Sequence, residues 1–519
     1  RNKISHYSMG VGYGKRGEFV DAQPLREDHF FTHEGYAALP ISKAERVFDL
    51  ALLNSDLFNY GINKYCGQHK TSGYVNQFPV PVVKESDSQL LEEILLKILN
   101  LKLSWWSSDP TEYLYSGPLL IRLGGSRIED SIENVVDHLN NDYRKLDSYW
   151  KELNVVVNDI YGISCSDSGL IEDFCLGKPK DFLRNWYGYD DEIEEVLLYE
   201  LISHFVGESF GILNPSVEDL FVDQPFDDFF TALPQPRPCI SESYVKNTVP
   251  NMFFEGEGGR DLMSEAVLSR VAQLGGDFEG GFDKQLFDVF GKTLSELLVD
   301  PKCFFDFHFR QFTRGKKKAP IYLPLQLMKA EYTIWISYYD LDNGALLACV
   351  NDFIDPDLKR IYEEMTRLKA LSDRTRTEED SLEFFSESAA DLEGFKDEIL
   401  RICKFWKPKY IDGVKIQLAP LWRLFQHSGW RSQLQGTWQD LESGVLDWSQ
   451  TAIDFWPERV LKKCHLDQSI ALAHGVEFDL WEEVKIKVGK SKKEKLVWQP
   501  KEMTEVELDE YIKNKIAKG

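Results

Sequence analysis

Apolar positions in this chain follow helical spacing over most of its length. Between residues 42 and 64, Val47, Leu50, Ala51 and Leu57 form one apolar stripe, with Ser42 at the cap position and Glu45 completing a capping-box signature. One helix is therefore predicted over 42–64. Residues 78–83 (Phe-Pro-Val-Pro-Val-Val) then block a helix, because proline lacks an amide donor and restrains its neighbour. Helical spacing returns over 88–103. It is strongest over 129–161, where the apolar residues from Ile132 to Ile160 advance mostly by three or four and Gly162 supplies the stop. Shorter helices are predicted over 191–206, 262–275 and 284–298.

The rest of the pattern is less regular. Outside the 42–64 helix, residues 1–83 are turn-rich and aromatic, punctuated by Gly10, Gly12, Gly14, Gly17 and Gly35. Residues 213–260 are rich in Pro, Gly and acids, the composition of a linker. Residues 332–339 and 345–350 read as two strands of a β-hairpin around Asp342-Asn343-Gly344, since Asn-Gly tolerates positive φ. Charged, periodic helices over 357–373 and 379–406 suggest an antiparallel helical hairpin. The segment 413–481 carries most of the late tryptophans, and no internal repeat of fixed period stands out.

Composition narrows the class. A chain of 519 residues has room for about three domains. Its 43% apolar and 13% aromatic content excludes a mainly disordered chain. No apolar run approaches the roughly 20 residues that span a bilayer, so no membrane association is expected. The opening Arg1–Gly10 has no apolar signal core, and a start in mid-pattern without Met reads as a fragment. The eight cysteines are scattered singly with no CxxC, which fits a reducing cytoplasm rather than a zinc ribbon or redox pair. The net charge of −25 confines any nucleic-acid surface to local patches, because phosphate neutralisation needs cations.

Residues 51–83 are the most informative stretch. An amphipathic helix leads to a polar loop at 67–73 and then to an expected aromatic-bearing strand closed by prolines. Gln68, His69, Lys70, Thr71, Ser72 and Tyr74 read either as an ordinary surface loop or as donors set against phosphates and base edges. The order Leu-Leu-Asn-Ser, Leu-Phe, polar loop, Gly-Tyr, proline pair resembles the target-recognition region of type IIG/IIL restriction-modification enzymes and PglX-like methyltransferases. Residues 28–41 look like the short strand and turn before it. Residues 158–164 and 201–213 are similar to later helices of that family. Residues 314–326, 332–359, 395–427 and 456–477 resemble the C-terminal region of BREX- and DISARM-associated adenine-specific DNA methyltransferases, in the family's order.

That resemblance implies a catalytic half lying outside this chain. Amino-methyltransferases of the class carry a Gly-rich turn for S-adenosylmethionine and an Asn-Pro-Pro-Tyr/Phe motif that holds a flipped base. No such tetrad occurs here. The cluster Glu-Gly-Glu-Gly-Gly-Arg-Asp at 255–261 precedes a predicted helix but follows no evident apolar strand, so it is not read as a cofactor turn. Arg310, Arg314, Lys316, Lys317 and Lys318 form the densest basic cluster in the body of the chain, either a solvated loop or a phosphate clamp. The run at 484–495 reads as a flexible tether or as a β-ribbon edge guarded by lysines. Cys464, His465 and His474 match no familiar metal spacing, and the acidic stretch at 225–230 matches no calcium loop. The late tryptophans are read as core and interface rather than as base-stackers.

The expected fold is α+β, helix-rich and multidomain. Residues 1–85 end a small mixed recognition region, 86–212 form a helical spacer, 213–260 a linker, and 261–519 a C-terminal domain with a β-hairpin and a long helical hairpin. The expected role is the DNA-recognition and assembly portion of a site-specific adenine-N6 DNA methyltransferase in a BREX-like or restriction-modification defence system. No catalytic residue or cofactor is expected in this chain; S-adenosylmethionine belongs to the missing methyltransferase half. Expected partners are double-stranded DNA and either other defence-system subunits or that N-terminal half. The rival readings are an acidic non-catalytic scaffold and a DNA-mimicking regulatory fragment.

Overall fold

The computed structural model describes residues 9–17, 19–26, 35–67, 69–111, 115–124, 127–164, 167–169, 171, 192–212, 230, 252–256, 261–274, 278–313, 319–326, 332–488 and 493–518. They divide into two compact units. One comprises residues up to His204 with the helix Phe278–Phe290. The other comprises residues 205–211, 252–256, 261–273 and those from Gly291 onward. The fold is α+β and helix-rich, with small antiparallel sheets.

In the first unit the predicted capping box closes: the Ser42 hydroxyl accepts from the Glu45 amide, and the Glu45 carboxylate accepts from the Ser42 amide. The single helix predicted over 42–64 is instead two, Lys43–Asn54 and Asp56–Cys66. Ser55 between them is extended and caps the second through the Phe58 amide. Tertiary hydrogen bonds favour this break. Asn54 closes a two-way pair with the backbone of Ala22, Asn59 accepts from the Val20 amide, and Asn154 holds both the amide and the carboxylate of Asp56. A straight helix through Ser55 would turn these amide side chains out of register with their partners. Beside them lies a three-stranded antiparallel sheet in which β1 (Gly10–Gly14) runs between β2 (Gln23–Leu25) and β3 (Gly35–Ala38).

The helix Ile128–Tyr161 is 34 residues long, about 51 Å at 1.5 Å per residue. Its stripe of Ile132, Val135, Leu139, Leu146, Leu153 and Val157 is buried, and it packs on the helix Glu85–Trp106. Gly162 ends it in the left-handed conformation (φ 67°), which costs glycine little. Within the same unit, Glu200 on the helix Ile193–Ser209 is buried, and its Oε2 has no hydrogen-bond partner among the described residues. Burial pushes its carboxyl well above the usual range, and the charge of Asp109 adds to the shift.

The second unit is built on β6 (Tyr332–Ser337), all six residues of which are buried. β4 (Met252–Gly256) pairs with one edge and β5 (Tyr322–Gln326) with the other, both antiparallel. This corrects the predicted hairpin. The adjoining partner, β5, precedes β6 in the chain, and residues 343–348 are helical. With both edges of β6 occupied, a strand at 345–350 has no place to pair. Asp342 caps the helix instead, accepting from the Ala345 amide at 2.7 Å. A π-helical turn, Cys349–Ile354, leads into the helix Asp355–Lys369. That helix lies antiparallel to Arg376–Cys403, as expected, with Lys396 on Asp355 at 2.6 Å and the Tyr362 hydroxyl on Glu393 at 2.5 Å. Further on, Leu441, Val460, Leu461, Cys464 and Leu480 form a core with Trp481 and Ile512. Trp335, Trp406 and Trp430 are fully buried.

Two measurements check these assignments. Asp342→Ala should lower unfolding stability by about 1 kcal/mol, the usual worth of a side-chain N-cap; an unchanged denaturation midpoint would remove that role. For Glu200, the folded pKa lies above the unfolded one, so its contribution is intact below the unfolded pKa and is lost as pH rises through the folded pKa. Glu200→Gln should therefore raise Tm by an amount that grows as pH rises above the ordinary carboxyl range. A pH-independent difference would contradict it.

Candidate nucleic-acid interface

Residues 57–84 contain no Asp or Glu and three lysines, in a chain of net charge −25. This is the sequence signal that inspection of the loop alone missed. The helix Asp56–Cys66 carries Lys64, whose ammonium lies 5.2 Å from the Tyr60 ring centroid, and Tyr65, 68% exposed. After Gly67 the chain crosses to the strand region: Arg16 and His69 form an isolated antiparallel bridge, and the Lys70 amide donates to the Lys15 carbonyl at 2.8 Å. The strand expected after the loop is a helical turn, Ser72–Val75. Both the Tyr74 and the Val75 amides donate to the Thr71 carbonyl, and these local bonds take the donors a ladder would need.

Phe78 anchors the segment. Its ring lies 4.7 Å from that of Phe58 and 6.2 Å from that of Tyr161, and the Tyr161 hydroxyl donates to the Pro79 carbonyl at 2.7 Å. Gly61 makes this approach possible, since a Cβ there would stand 2.7 Å from the Phe78 ring. Val80 and Val82 face outward, 60% and 100% exposed. The proline-blocked stretch is thus a strap laid over two helices, presenting its alternate side chains to solvent.

The structure separates the predicted site residues. His69, Ser72 and Tyr74 are exposed on this platform. Lys70 is not: it is fully buried, and its ammonium donates to the carbonyls of Gly17 and Gly67. Its charge ties the loop to the strand region, because a buried ammonium is tolerated only with acceptors around it, and this corrects its reading as a surface donor. Arg310, in the second unit, donates from Nε to Asp306 at 2.8 Å, and Asp306 also meets His427 Nε2 at 2.8 Å. Burial works against ionisation of Asp306, but the His427 hydrogen bond and the Arg310 charge outweigh it and hold the carboxyl below its usual range. Arg310 is therefore engaged by a carboxylate rather than standing as an open phosphate clamp. Gln68, Arg314, Lys316, Lys317 and Lys318 lie outside the described residues.

The apolar strand β4 runs into the glycine cluster at 255–261, of which residues 257–260 lie outside the described residues. The Glu255 carboxylate accepts from the Met263 and Ser264 amides at 3.0 and 3.1 Å and from the Ser264 hydroxyl at 2.6 Å. A carboxylate of the protein itself thus occupies the donors that a phosphate or carboxylate ligand would use at the start of Leu262–Gln273. Among the described residues, no three His, Cys, Asp or Glu groups stand together as a metal site, and no helix is long and apolar enough to cross a membrane. Cys464 is buried, its thiol pushed up to about 12 chiefly by burial, and His474 Nε2 lies 2.7 Å from the Asp447 carbonyl.

The buried ammonium gives a direct check. Lys70→Met should destabilise the first unit by about 1–3 kcal/mol, the cost of leaving buried acceptors unpaired. It should leave the salt dependence of any nucleic-acid binding unchanged; a smaller slope would put Lys70 on a phosphate. No family model matches this chain, and no curated protein matches it significantly.

Proposed function

We propose that this chain is the DNA-recognition and assembly portion of a site-specific adenine-N6 DNA methyltransferase of a phage-defence system. A separate module would bind S-adenosylmethionine and transfer the methyl group, and the site of action would be the cytoplasm. The methyltransferase assignment rests on the ordered family-like segments in the sequence. The single observation that carries the DNA-binding part is the acid-free stretch 57–84, held as an exposed platform by Phe78 and Lys70. On it, Lys64 and the neighbouring Arg16 supply positive charge, His69 and Ser72 supply donors, and Tyr65 and Tyr74 supply exposed rings. Cations fix the register on phosphates, while donors and rings discriminate base edges.

One observation favours the scaffold reading as a second possibility. The helix Arg376–Cys403 exposes Glu379, Asp380, Glu383, Glu387, Glu393 and Asp397, a surface that repels a polyanion and suits a basic protein partner.

Salt titration of duplex binding separates the two. The full chain should bind a duplex of about 20 base pairs with log affinity falling linearly in log salt, by about 0.9 per phosphate neutralised. Combined Lys64→Gln and Tyr74→Ala should weaken binding about tenfold or more, equivalent to about 1.4 kcal/mol. Absence of any complex at about 50 mM salt would leave the scaffold reading standing.

A further inference from the structure

We infer that residues 399–439, in the second unit, form a further contact with the phosphate backbone of duplex DNA. The inference rests on the duplex-binding reading above and adds a surface in the other unit. In a chain of net charge −25, this stretch holds seven cations and a single acid, Asp412. Asp412 is buried. Its carboxylate accepts from the Gln450 and Thr451 amides at 2.8 and 2.6 Å and from the Thr451 hydroxyl at 2.7 Å. The one negative charge is thus directed inward, and the surface of the stretch is left to the cations. Local packing draws the stretch together. Trp406 is buried and its indole donates to the Gln417 carbonyl at 2.8 Å, which ties the chain after Cys403 to the helix Val414–Leu418.

The cations stand in two groups. In one, Arg401 donates to Glu398 from Nε and Nη2 at 2.8 and 2.7 Å, and Arg423 Nη1 lies 3.7 Å from the same carboxylate. Arg423 and Arg431 lie 5.2 and 5.4 Å from the Trp422 ring centroid. Three guanidinium groups therefore meet around one carboxylate and one indole, and positive charge remains in excess. In the other group, Lys409 lies 3.9 Å from Asp454, and Lys407 acts on the same carboxylate. Lys404 follows Arg401 by three residues at the helix end, on the same face. Lys404, Lys407 and Lys415 are exposed and form no ion pair within 4 Å among the described residues.

Such groups neutralise phosphates. The kind of polyanion follows from the rings. Trp406, Phe425 and Trp430 are buried, and Trp422 already meets two arginines. A single strand needs a series of open rings on which to stack its bases, and this surface does not offer one. Phe405 and Ile411 are 58% and 85% exposed, but membrane binding scales with buried apolar area, and two side chains bury little. A duplex presents phosphates outward with its bases paired inside, and it asks for cations without open rings.

The test uses the full chain with Lys404→Gln, Lys407→Gln and Lys415→Gln combined, titrated with a duplex of about 20 base pairs across salt. The log–log slope should shrink by about 0.9 for each phosphate that is no longer neutralised. Replacing the same three lysines by Arg should keep the parental slope, and Tm should stay unchanged because none of the three is in an ion pair. A Gln variant with the parental slope overturns the inference and leaves duplex binding by the first unit intact. A reduced slope beside no effect of Lys64→Gln with Tyr74→Ala keeps this face and removes the first-unit platform. Vesicles of phosphatidylserine and phosphatidylcholine should not retain the chain; retention lost in the Gln variant, with the duplex slope unchanged, makes the face a membrane contact and overturns the inference. If the parental chain forms no complex with the duplex, the broader reading falls together with this one.

Discussion

An acidic chain can hold a polyanion only where its carboxylates are absent or already engaged by its own donors. Several buried or half-buried acids here are engaged in that way. Asp447, nearly inaccessible, takes Arg459 and Lys463 at 2.7 and 3.1 Å. Asp412 takes the Gln450 and Thr451 amides, and Glu255 takes two helix amides. Cations are consumed likewise, Lys70 by carbonyls and Arg310 by Asp306. What the solvent and any partner meet is the remainder after these pairings, so net charge is a poor guide to local potential.

That remainder differs between the units. In the first, the acid-free segment begins in the helix Asp56–Cys66, whose start at Ser55 is fixed by Asn54, Asn59 and Asn154, and is pinned by Phe78 against Phe58 and Tyr161. The same hydrogen bonds that interrupt the helix fix where the segment starts. In the second, both edges of β6 are occupied, and the strands Trp481–Val488 and Lys493–Pro500 pair as a separate two-stranded sheet. Elsewhere in the second unit, the helix Arg376–Cys403 presents a run of exposed carboxylates.

The sequence alone determined the elements governed by local chemistry. The Ser42–Glu45 box, the stripe and Gly162 stop of Ile128–Tyr161, and the antiparallel helices Asp355–Lys369 and Arg376–Cys403 all follow from spacing and capping within a few residues, where no distant partner is needed. It also holds the run of residues without carboxylates that marks the platform. Tertiary structure decided whatever depended on a remote partner: the break at Ser55 through Ala22 and Asn154, the pairing of β6 with strands far away in sequence, and the conversion of Asn343-Gly344 from a turn to a helix start. It decided the fate of charges too. Whether a lysine such as Lys70 faces phosphate or carbonyl is set by which backbone oxygens the fold brings within reach, and spacing along the chain does not encode that distance.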